Sequence, residues 1–184
     1  MGSGYPAGWR EWRRLVADGE YEDDRALNRF AARFRMASGM RAVTYPGMGR
    51  ATAEGYSVAL RVALAYTALE AWEKAMELGK QTVVEDADLT GDFRGPGLTR
   101  LRAHLLGASR SGLRGRGTLV VEADEVTDLR PLAEALRNVV FHGDFTPGGA
   151  GLARSGAART WTRRLSESVL DTVEADFEAW VAEV

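Results

Sequence analysis

The segment from Ala53 to Leu78 constrains the fold most, because it is apolar around nearly the whole circumference of a helix. Val58, Leu60, Val62, Leu64, Tyr66, Leu69, Trp72 and Met76 share no single face. A helix of this kind must be surrounded by other elements. Its longest apolar stretch, Ser57 to Leu69, is broken by Arg61 and falls short of the roughly 20 residues that cross a bilayer. It therefore reads as the central member of a water-soluble helical bundle.

Other segments have the period to surround it. Trp9, Trp12, Leu15 and Val16 fit a short first helix. A second is expected from about Glu20 to Ser38, with Leu27, Phe30, Ala31 and Phe34 at helical spacing and Gly39 to stop it. A loop with Pro46, Gly47 and Gly49 covers residues 40–52, and Gly79 reads as the C-cap of the central helix. Residues 80–95 are acidic and read as irregular, and Pro96 then opens a short helix to about Leu106. The stretch 107–117 alternates glycine with Arg110, Arg114 and Arg116, and Leu119-Val120-Val121 reads as a short strand or a buried lead-in. A helix follows over about 128–142, with Pro131 in its first turn and Gly143 just past its end. After a glycine-rich loop, a terminal helix over about 158–182 aligns Trp161, Leu165, Val169, Val173, Phe177 and Trp180. The expectation is one all-α domain over residues 1–184. Residues 1–52 supply N-terminal helices and a loop, and residues 53–184 supply the bundle core.

Composition removes several function classes. There is no cysteine, hence no disulfide framework, thiolate metal site or cysteine nucleophile, and only two histidines, His104 and His142. We expect no metal and no cofactor. The net charge of −2 gives no overall attraction to nucleic acid, so an anionic ligand has to be held by a local patch. Arginine outnumbers lysine 22 to 2, which genomic base composition alone can produce, so the excess by itself says little. Met1-Gly2-Ser3-Gly4 lacks a charged-then-apolar leader pattern, and the expected setting is the cytoplasm, without a membrane partner.

The residues that carry chemistry are Leu136-Arg137-Asn138-Val139-Val140-Phe141-His142-Gly143. At about 100° per residue, Arg137, Phe141, Asn138 and His142 span about 140° of one helix face, and Leu129, Leu132, Leu136, Val139 and Val140 occupy the opposite side. Asn138 and His142 form an i,i+4 pair able to act on one group. Metal-free cleavage of RNA needs a base for the 2′-hydroxyl proton, an acid for the leaving 5′-oxygen and a cation against the phosphoryl oxygens. Histidine suits the first two near neutral pH, and arginine matches a phosphate with a two-pronged fork. Phe141 sits within the polar arc beside Arg130 and Glu134, which points to a partner surface covering it. A two-fold dimer would bring two histidines to one cleft.

Arg137-Asn138-x-x-x-His142, late in a helix, followed by Gly143 and a terminal helix, resembles the signature of the HEPN family. The resemblance covers roughly the second half of the chain. It implies a four-helix bundle, here with extra short helices and long loops, that forms a homodimer around the motif. It also implies a metal-independent endoribonuclease acting on single-stranded RNA and leaving 2′,3′-cyclic phosphate ends, in a toxin–antitoxin or phage-defence setting with an antitoxin or defence-system protein as partner. Arg137 and His142 would be catalytic and Asn138 the supporting polar residue, able to donate to a phosphate oxygen or to hold the imidazole in one orientation. HEPN toxins paired with a nucleotidyltransferase antitoxin often carry a tyrosine two residues after the histidine. Asp144 stands there in this chain, so that mode of regulation is not expected.

The residues also permit plainer readings. Arg110, Arg114, Arg116 and Arg130 are candidate RNA contacts, although a solvated basic loop accounts for the first three equally well. Glu70, Glu73 and Glu77 read as a solvated face, His104 as a structural or surface histidine, and Trp161 and Trp180 as packing. A dimeric module that binds RNA, a nucleotide or a protein partner without cutting is the alternative function.

Overall fold

The computed structural model describes residues 4–44, 46–79, 81–110 and 126–184, with backbone alone for 108–110. Among these residues every regular element is a helix. In chain order they are α1 (Trp9–Ala17), α2 (Arg25–Gly39), α3 (Arg50–Ala75), α4 (Ala87–Asp92), a 3₁₀ turn at Pro96–Leu98, α5 (Thr99–Arg110), α6 (Arg130–Phe141) and α7 (Gly156–Glu183).

As its apolar circumference requires, α3 lies at the centre and packs against α2, α6 and α7. Val62, Ala65, Tyr66, Ala68 and Leu69 are fully buried within it. Gly55 allows a second close approach, because a Cβ there would lie 2.7 Å from the Pro147 side chain and 3.2 Å from that of Leu152. At the other end Phe30, Trp72, Phe177 and Trp180 form a continuous aromatic cluster, joined by Trp12 and Trp9 from α1, with centroids 5.2–6.1 Å apart. Among the described residues no helix is long and apolar enough to cross a membrane.

Side-chain caps and turn geometry set boundaries that periodicity alone misplaces. The Asp24 carboxylate accepts the Ala26 amide at 2.6 Å, so α2 starts at Arg25 and residues 20–23 stay outside it. Asp86 accepts the Leu89 amide at 2.9 Å and starts α4 inside the stretch read as irregular. Burial raises the Asp86 pKa, but the Leu89 amide, the Ser168 hydroxyl and the Arg164 guanidinium outweigh burial and hold it below the ordinary value. The central helix ends at Ala75 rather than Leu78, because Glu77 adopts φ 54° and the Leu78 amide turns back to the Glu73 carbonyl at 2.9 Å. The reading of Leu119–Val121 and the loop arginines Arg114 and Arg116 lie outside the described residues, as does the side chain of Arg110.

Candidate active site

The motif occupies the last turns of α6, and the end of that helix fixes where its histidine stands. Gly143 takes φ 81°, its amide reaching the Val140 carbonyl at 3.3 Å while the Asp144 amide reaches the Val139 carbonyl at 3.1 Å. This pair of bonds is the Schellman closure, which favours glycine at the left-handed position. His142 is thereby the C-cap, and its side chain is exposed. Its amide donates to the Asn138 carbonyl at 3.0 Å, so Asn138 and His142 are one turn apart as the spacing requires.

Arg137 is held from three sides. Its Nη1 donates to Asn138 Oδ1 at 2.7 Å, its Nη2 donates to the Glu70 carboxylate, and its guanidinium lies 5.2 Å from the centroid of the Tyr66 ring. The side chain is 23% exposed. Each terminal nitrogen carries two hydrogens, so Asn138 and Glu70 use one N–H of each. Asn138 thus accepts a hydrogen bond from the arginine.

Arg130 is the clearest correction. Read as an RNA contact, it is instead 3% exposed and forms a buried ion pair with Glu73 at 2.6 Å, its guanidinium 5.7 Å from the same Tyr66 ring. A group shut away from water cannot meet a passing phosphate. Glu73 and Glu70 correct the solvated-face reading in turn, since one is buried against Arg130 and the other is bound to Arg137. The pattern that could have revealed this is reciprocal spacing. Tyr66, Glu70 and Glu73 form one stripe on α3, and Arg130 and Arg137, seven apart, form the matching stripe on α6.

Tyr66 sits between the two cations with no solvent exposure, and no hydrogen-bond partner meets its hydroxyl among the described residues. Burial pushes its pKa well above the ordinary phenol value. Glu134 and Glu70 reinforce that shift, while Arg130 and Arg137 oppose it. The phenol is therefore a neutral ring that the guanidinium groups meet by cation–π attraction.

Phe141 is 52% exposed, as its place on the polar arc implies. On the opposite side of the helix, Val140 borders an apolar groove of about 290 Å³ shared with Tyr56, Leu60, Met48 and Phe145. His104 is half-buried with its ring edge-on to Phe145 at 5.8 Å, and no hydrogen-bond partner meets its buried Nε2 among the described residues. Trp161 is packing, its indole N–H donating to the Leu89 carbonyl at 2.8 Å. Compared with known family models, with curated proteins and with solved structures, the chain matches none.

Proposed function

We propose that this chain is a HEPN-like, metal-independent endoribonuclease that cuts single-stranded RNA at a cleft between two copies of itself, in the cytoplasm and in a toxin or phage-defence setting. The observation that carries the reading is the contrast between two arginines on α6. Arg130 is sealed in the core, whereas Arg137, gripped by Asn138 and Glu70, keeps 23% of its side chain exposed within about a turn and a half of the exposed His142. Holding a guanidinium fixed in advance lowers the reorganisation needed as charge develops on a phosphate.

In this scheme one histidine removes the 2′-hydroxyl proton and the 2′-oxygen attacks phosphorus. The bond from phosphorus to the 5′-oxygen breaks, and the leaving oxygen takes a proton from the second copy's histidine. The products are a 2′,3′-cyclic phosphate and a free 5′-hydroxyl, and Arg137 meets the charge on the non-bridging oxygens.

The test is cleavage of a mixed single-stranded RNA in EDTA by wild type, His142→Ala and Arg137→Ala. Cyclic phosphate ends from the wild type are expected, with losses of about 100-fold or more in each variant. Equal cutting by wild type and His142→Ala would remove the assigned role of that residue. One observation favours the second reading, a non-catalytic module that binds RNA, a nucleotide or a protein partner. The Glu70 carboxylate offsets the Arg137 charge, and RNA binding without cleavage by a dimeric wild type would select that reading.

A further inference from the structure

Away from the motif, the loop running from Met40 and the first turns of α3 line a partly open cavity of about 420 Å³, to which Arg163 of α7 also contributes. That volume lies within the range of small-molecule sites, roughly 300–1,000 Å³. The Ser57 hydroxyl fastens the wall of the cavity. It accepts the Val43 amide at 2.8 Å and donates to the Ala53 carbonyl at 2.7 Å, which binds the loop to the helix.

The lining is strongly cationic in a chain whose net charge is −2. Arg41, Arg50, Arg61 and Arg163 face one carboxylate, Glu54. Glu54 is already engaged by Arg50 at 2.9 Å and by Arg159 at 3.2 Å. Among the described residues Arg41 and Arg163 form no salt bridge, and Arg61 touches Glu167 at 3.5 Å, the edge of hydrogen-bonding range. Cations gathered in a concave site concentrate the field on whatever anion enters. The same lining includes the apolar side chains of Met40, Val43, Met48 and Val58. Thioethers make favourable contacts with flat aromatic rings.

We propose that this cavity is a binding site for a nucleoside phosphate. The arginines take the phosphate through their two-pronged donor forks, and the methionine side chains take the base. Among the described residues the lining holds one carboxylate, tied to two arginines, and no histidine, so the role assigned to the site is binding alone. It is separate from the Arg137–His142 face and stands whether or not that face cuts RNA.

The test is calorimetric titration of the full chain with ATP, GTP and inorganic phosphate. Arg41→Glu/Arg163→Glu changes two exposed side chains, and its folding is verified by an unchanged unfolding midpoint. Arg61→Lys keeps the charge and removes the fork. The expected result is saturable 1:1 binding of at least one nucleotide, with inorganic phosphate at least about tenfold weaker. The affinity should fall about tenfold or more for each guanidinium removed and stay unchanged in Arg137→Ala. The proposal is overturned if neither nucleotide binds, if the cavity variants bind as well as wild type, or if inorganic phosphate binds as tightly as the nucleotides. Loss of nucleotide binding in Arg137→Ala would also overturn it, by placing the ligand at the motif.

Discussion

Arg130 and Arg137 are the same side chain used twice, each against a glutamate of α3 and each over the ring of Tyr66, and exposure alone separates their consequences. Removing one partner of a buried pair leaves the other charge stranded, at a cost of about 3–5 kcal/mol. Chemical denaturation of Arg130→Ala should show a loss of that order. Arg137→Ala, at a pair whose side chains are 23% and 28% exposed, should lose roughly 1 kcal/mol, less than Arg130→Ala, while losing any cleavage activity. A similar loss of stability in both variants would mean that Arg137 too is structural. His104 gives a residue-scale test in pH. Burial lowers its pKa below 6.5, and Asp144 only partly opposes this, so the folded chain binds that proton less readily than the unfolded chain. Its stabilising contribution is complete above pH 6.5 and is lost as pH falls from there toward the lowered folded value. The melting temperature of the wild type should therefore drop through that window more steeply than that of His104→Gln.

At the scale of the element, α3 and α6 close with the same geometry but different residues. Gly143 fills the left-handed position after α6 at φ 81°, and Glu77 fills it after α3 at φ 54°. A side chain there costs about 1–2 kcal/mol, so substitutions at the two ends should have opposite signs. Gly143→Ala should destabilise by about 1 kcal/mol and also shift His142, whose C-cap position depends on that turn. Glu77→Gly should stabilise by about 0.5–1 kcal/mol, less than the full strain because glycine is freer in the unfolded chain. Urea unfolding of the two single variants measures both. This difference also explains one limit of the sequence. Gly143 announces the end of α6, whereas Glu77 carries no such signal, and attention falls on Gly79, two residues too late.

At the scale of the whole molecule, the all-helical architecture of the described residues was legible because a helix apolar on every side requires neighbours, and the flanking segments have the right period. The arc holding Arg137, Asn138, Phe141 and His142 was legible for the same geometric reason. The partners of that arc were not. Glu70 and Glu73 look like solvated residues until α6 is laid along α3, and sequence spacing within one helix does not reveal which helix faces it. Arg130 illustrates the same limit, since nothing in its own helix distinguishes a buried cation from an exposed one. On the dimer reading, Phe141, 52% exposed on the same face as Arg137 and His142, is the residue a second copy should cover. Phe141→Asp should then shift the sedimentation profile from dimer to monomer with little change in unfolding, and an unchanged profile would exclude Phe141 from the interface.

The tryptophans divide the molecule optically. Four of the five, Trp9, Trp12, Trp72 and Trp180, belong to the aromatic cluster where α1 and α2 meet α3 and α7. Trp161 stands apart, against Phe93 and hydrogen-bonded to the Leu89 carbonyl of α4. Intrinsic fluorescence therefore reports mainly the separation of the N-terminal helices, and the undocking of α4 is a minor component of the signal. With the other four replaced by phenylalanine, Trp161 emission becomes a direct gauge of whether α4 is seated, independent of the layer that dominates every other spectrum.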